Sequence, residues 1–132
     1  MKDKKILLID DEKNILLMIK NRLRAHGFDV ITASSGSEGL EKARKEAPDL
    51  IVLDVLMPDM DGKEVCRLLK SESSTAKTPI IFLTCKDTIE DKMAEYQAGG
   101  ECHITKPFDA VEMVEKIERT LTNIKDFEQN EE

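Results

Sequence analysis

Short aliphatic runs alternate along the chain with longer stretches in which apolar residues recur every three or four positions. The two periods predict strands and amphipathic helices in turn. Lys5 to Ile9 reads as a buried strand, and a helix follows from Glu12 to His26 with Ile15, Ile19 and Leu23 on one face. Gly27 is placed to stop it. Phe28 to Ala33 is a second strand. Ser35 then stands as an N-cap with Glu38 three residues on, a capping-box spacing, ahead of Leu40, Ala43 and Ala47 on an inward face. Pro48 ends that helix and Asp49 to Leu53 is the third strand. A third helix spans Gly62 to Lys70, SESSTAKT is a polar loop, and Pro79 opens a fourth strand, IIFLT. A helix from Thr88 to Ala98 breaks at Gly99 and Gly100, and CHIT makes a short fifth strand. Asp109 caps a last helix with Val111, Val114, Ile117 and Leu121 inside. Residues 1–123 form one domain on this reading, and 124–132 an acidic tail or linker.

Five strands alternating with five helices imply a parallel sheet covered on both faces. Composition agrees, since 132 residues with 40% hydrophobic content suffice for one self-sufficient core. A net charge of −7 argues against nucleic acid or an anionic membrane as a direct partner. The three cysteines, Cys66, Cys85 and Cys102, lack CxxC spacing and suggest free thiols in a reducing compartment. The apolar run Ile6 to Ile9 is too short for a signal peptide or a membrane span. A cytoplasmic location is expected.

In open parallel sheets, ligands bind beyond the carboxyl ends of the strands. Here the first strand runs into Asp10 and Asp11, the third into Asp54, the fourth ends in Thr84 and the fifth runs into Lys106. Singly, each reads as a cap, a turn former, an ordinary strand residue or a solvated lysine. Together, on one rim, they pose an electrostatic problem. If the first and third strands are neighbours, three carboxylates meet, and they cannot all ionise at neutral pH without a counter-charge. All-oxygen, partly hydrated coordination suits Mg²⁺, and Lys106 adds a second cation. An aliphatic strand can therefore end on a carboxylate because a metal and a lysine pair with it.

LLIDDE, LIVLDVLMPDMDG, IIFLT and ITKPF, in that order and spacing, resemble the response-regulator receiver domain of two-component signalling, from Lys4 to Asn123. The resemblance implies a flavodoxin-like (βα)5 doubly wound α/β fold, with a five-stranded parallel sheet of order 2-1-3-4-5 and helices on both faces. It implies that Asp54 accepts a phosphoryl group from a histidine kinase or histidine phosphotransfer protein. Asp11, Asp54 and the Leu56 backbone carbonyl would ligate Mg²⁺, with Asp10 acting through a water. Thr84 would hydrogen-bond the phosphoryl group, Lys106 would pair with it, and the Lys106–Pro107 bond would be cis. The chain would then be a slowly dephosphorylating acceptor and not a turnover enzyme. It would signal to a downstream effector or output domain through the face of its fourth helix, fifth strand and fifth helix. His103, Lys92, Glu95, Tyr96, Glu112, Met113, Lys116 and Arg119 are expected on that face, and a phosphorylation-dependent homodimer fits the same scheme. A single-domain regulator, a phosphorelay intermediate and a piece of a longer protein all stay open.

Two positions depart from the family pattern. His103 stands where an aromatic Tyr or Phe is usual, three residues before Lys106, and is either the switch residue or a plain surface histidine. Cys85 follows Thr84 where a very small residue is usual, and reads as a small buried apolar residue, a partial block to the site, or a redox sensor. Three rival functions fit these residues less well. A haloacid-dehalogenase-like phosphatase needs a second Asp two residues after the nucleophile, where this chain has Leu56. A flavin-binding protein of the same fold class needs a hydroxyl-rich phosphate loop after the first strand, where this chain has DDEK. A receiver-like interaction module that never takes phosphate has no use for the full set Asp10, Asp11, Asp54, Thr84 and Lys106.

Overall fold

Aliphatic strands with no polar face must be covered on both sides. In the computed structural model, which describes residues 4–85 and 89–130, they are. The elements are β1 (Lys5–Ile9), α1 (Lys13–Ala25), β2 (Asp29–Ala33), α2 (Gly36–Glu46), β3 (Leu50–Asp54), α3 (Gly62–Ser71), β4 (Ile80–Thr84), α4 (Ile89–Ala98), β5 (Cys102–Thr105) and α5 (Ala110–Asn130). One parallel sheet runs in the order β2-β1-β3-β4-β5, as expected. Every residue of β3 and β4 is buried. Side chains that alternate along these strands feed two separate cores. Leu8, Val52 and Ile81 pack with Leu23 of α1 and Ile117 of α5. Ile9, Leu53 and Phe82 pack with Leu40 of α2, Leu69 of α3 and Ala98 of α4.

The helix boundaries follow from local chemistry. Gly27 has φ of 91°, a left-handed turn that suits a residue without Cβ and lets the chain leave α1. Ser35 Oγ accepts the Glu38 N–H at 3.2 Å, while the Glu38 carboxylate reaches the Ser34 N–H at 2.8 Å. The reciprocal bond thus lands one residue earlier than a standard capping box. Asp109 accepts the Val111 N–H at 2.8 Å and caps α5. That helix continues to Asn130, through most of the segment expected as tail or linker. The expected start of the fourth helix, Thr88, lies outside the described residues.

Several facing assignments change. Ala47 is exposed and left-handed (φ 47°) at the C-cap; the following Pro48 disfavours helical backbone before it, and α2 stops at Glu46. Val111 is 64% exposed, and Met113 takes the core position beside Val114 and Ile117. Leu16 is buried where Ile15 is only partly so. Cys85, expected to be small and buried, is exposed. Glu95, expected on the outer face of α4, is 2% exposed, and its carbonyl accepts the Gly100 N–H at 3.1 Å where the chain turns back to β5. Among the described residues, no helix is long and apolar enough to cross a membrane.

Candidate functional site

Because β1 and β3 are neighbours, with Ile9 paired to Leu53, the residues that follow Ile9 meet the residue that ends β3. One carboxylate oxygen from each of Asp10, Asp11 and Asp54 falls within 4.8 Å of the others. Asp10 and Asp54 are 2% and 4% exposed, whereas Asp11 faces solvent. Lys106 follows β5 and precedes the cis Lys106–Pro107 bond. Its backbone N–H donates to the Thr84 carbonyl at 2.6 Å. Its Nζ lies 3.4 Å from Asp10 Oδ2, 3.5 Å from Asp54 Oδ1 and 3.8 Å from Glu12 Oε1. Thr84 ends β4 one strand over from Asp54 and is buried. All five predicted side chains therefore converge on one rim.

The charges do not balance. Burial, and then the neighbouring Asp10 charge, pushes the Asp54 carboxyl up to about 7 despite the pull of Lys106. Burial works against the Lys106 charge, but Asp10 and Asp54 outweigh it and hold its pKa above the usual value. One lysine thus serves carboxylates that still resist ionising together. Oxygen donors with charge left over fit a hard divalent cation such as Mg²⁺.

The β3–α3 loop forms the side wall. Leu56, two residues past Asp54, is half-exposed and offers no acid side chain. Gly62 closes the loop, with its N–H donating to the Val55 carbonyl at 2.8 Å. A Cβ at Gly62 would collide with the Asp54 carbonyl oxygen, so only glycine permits this return beside the central carboxylate. Asp61 caps α3 by accepting the Lys63 N–H at 2.8 Å. Asp59 reaches away, to Gly36 N–H at 3.0 Å and Ser37 N–H at 3.1 Å.

Sequence reading missed three contributors. Glu12 pairs with Lys106, and its N–H donates to Asp10 Oδ1 at 2.9 Å. Its position directly after two aspartates was the available signal. Asp59 and Gly62 lie in the turn-forming run MPDMDG, whose composition gives no sign of either contact. On β5, the His103 ring meets Tyr96 of α4 edge-on, with centroids 5.7 Å apart. Its Nδ1 is buried with no hydrogen-bond partner among the described residues. Burial, then Lys92 and Lys116, lowers its pKa. His103 is not a plain surface residue.

The family model for the response regulator receiver domain matches residues 6–118. The alkaline phosphatase synthesis transcriptional regulatory protein PhoP of Bacillus subtilis (strain 168) is 44% identical over 119 residues, covering 90% of this chain and 49% of that protein. The chain thus spans about half the length of such curated relatives. Among solved structures, chemotaxis protein CheY4 of Vibrio cholerae matches with a TM-score of 0.85 and 33% identity, over 89% of this chain and 98% of that one. A CheY-like receiver domain protein of Methanospirillum hungatei JF-1 matches with a TM-score of 0.88 and 29% identity, over 95% and 98%.

Proposed function

The chain belongs to the response regulator receiver domain family, whose members are signalling modules and not turnover enzymes, and from that premise we propose that Asp54 is its phosphoacceptor. The donor is the phosphohistidine of a histidine kinase or phosphotransfer protein. An Asp54 carboxylate oxygen attacks phosphorus in line, the P–N bond breaks as the P–O bond forms, and the imidazole leaves neutral, keeping the proton already on its other ring nitrogen. Such a transfer needs positioning and cationic stabilisation more than acid–base chemistry. Asp11, Asp54 and the Leu56 carbonyl would hold Mg²⁺, with Asp10 acting through a water; the ion supplies counter-charge for the phosphoryl oxygens. Lys106 pairs with one oxygen, and the Thr84 hydroxyl donates a hydrogen bond to another. Hydrolysis back to the carboxylate is slow, because Leu56 puts no acid or base beside the phosphorus.

What carries this reading is a lysine within 3.5 Å of two buried carboxylates that it does not fully neutralise. A phosphoryl group on Asp54 draws Thr84 and Lys106 toward it and biases the face formed by α4, β5 and α5. That face presents Lys92, Tyr96, Glu112, Lys116 and Arg119 with exposed Met93 and Val111, a surface suited to an effector or output domain. The test is incubation with a small acyl phosphate and Mg²⁺, followed by intact mass. One added phosphate is expected, lost in Asp54→Asn and in chelator. Labelling that survives either change overturns the assignment.

A further inference from the structure

The β3–α3 loop carries Leu56 near its start, and the Gly62–Val55 hydrogen bond ties its two ends together. Its middle is fastened elsewhere. Asp59 Oδ1 accepts the Gly36 N–H at 3.0 Å, and Oδ2 accepts the Ser37 N–H at 3.1 Å with Ser37 Oγ at 3.4 Å. Gly36 and Ser37 open α2, a helix whose own N-cap, Ser35, is already in place. Ser35 satisfies only the Glu38 N–H, and Asp59 takes up two of the donors it leaves, so this carboxylate ties the middle of the loop to α2. The approach is close, since a Cβ on Gly36 would come within 2.9 Å of Met60 Cβ. Hydrogen bonds from the Gly36 and Ser37 backbones also hold the Asp59 carboxyl below its usual pKa.

We propose that Asp59 is a positioning residue for the cation site: bonded to the first turn of α2, its carboxylate fixes the loop that presents the Leu56 carbonyl. The proposal rests on the reading of that carbonyl as a Mg²⁺ ligand. Groups that orient a metal ligand without touching the metal commonly change affinity by about tenfold or more when removed.

The measurement is Mg²⁺ affinity of the full chain, from amide resonance shifts at Asp11 and Asp54, beside metal-free melting. Asp59→Ala should weaken binding about tenfold. Ser35→Ala removes the other cap of α2 and should lower the melting temperature while leaving affinity within about twofold of wild type. Asp59→Asn keeps one acceptor and should fall between. If Asp59→Ala binds Mg²⁺ like wild type, or Ser35→Ala weakens binding equally, Asp59 is a helix cap only. If Asp59→Ala does not fold, Asp59→Asn decides on the same criterion. A wild-type chain without saturable Mg²⁺ binding defeats the metal-site reading and this proposal together; normal wild-type binding with unaffected Asp59 variants defeats the proposal alone.

Discussion

Asp54 is held in tension by its surroundings. A carboxyl raised from 3.8 to about 7 contributes most to stability below its unfolded value, and that contribution is lost as pH rises through the folded value. At about pH 8 the ionised side chain burdens the metal-free fold, so neutral Asp54→Asn should melt roughly 3–6 °C higher there. Below about pH 4 the advantage should vanish, because the wild-type carboxyl is then neutral too. Equal melting of the two proteins at both pH values, followed by circular dichroism, would refute the burden that burial and the Asp10 charge place on an ionised Asp54. His103 has the opposite sign. Its pKa is lowered by burial, then by Lys92 and Lys116, so the unfolded chain takes up its proton first as pH falls. The associated stability is complete above about 6.5, the unperturbed value, and declines below it. The groups around the ring are Tyr96 and Lys92 on α4 and Lys116 on α5, and Lys116 in turn pairs with Glu112 at 3.1 Å. His103→Phe should therefore lose less stability than wild type between about pH 7.5 and about pH 5.5, in urea unfolding at each pH. An identical loss in both proteins would show that the ring does not report on folding.

At the level of single elements, the strands were legible in sequence because no polar residue interrupts β3 before Asp54 or β4 before Thr84. Helix caps were legible for the same local reason: Ser35 and Asp109 act within three residues of themselves. Facing on α5 was not. Val111 and Met113 both sit near an apolar stripe, and periodicity alone cannot say which of two neighbouring rows meets the sheet. In the structure Met113 takes the core row and Val111 faces solvent. Met113→Ala should accordingly cost about 2–4 kcal/mol, and Val111→Ala less than about 0.5 kcal/mol. Equal costs in urea unfolding would mean that α5 is rotated from the orientation described. Glu95 escaped for a different reason. A glutamate on a polar helix reads as solvent-facing, and nothing in the local sequence signals that Glu95 is buried.

Across the whole molecule, the rim of strand ends could be anticipated because each contributor lies at the end of an aliphatic run, whatever the distance between them in sequence. Lys106 and Asp10 are 96 residues apart and still meet, through strand order alone. What could not be read was the support for that rim. Asp59 reaches α2 across 23 residues by an irregular loop, and no period in the sequence encodes such a contact. The sheet also has a consequence for how the protein tolerates change. It divides the interior into two apolar compartments, one closed by α1 and α5 and the other by α2, α3 and α4. Leu23 belongs to the first and Leu69 to the second. Each truncated to alanine should cost about 2–5 kcal/mol, and the double variant should equal their sum within about 0.5 kcal/mol. A coupling above about 1 kcal/mol would mean that the strands transmit packing strain from one side to the other. Additive behaviour makes the two halves separate currencies of sequence drift. The side beneath α1 and α5 can be rewritten, by selection or by an engineer, without renegotiating the side beneath α2, α3 and α4.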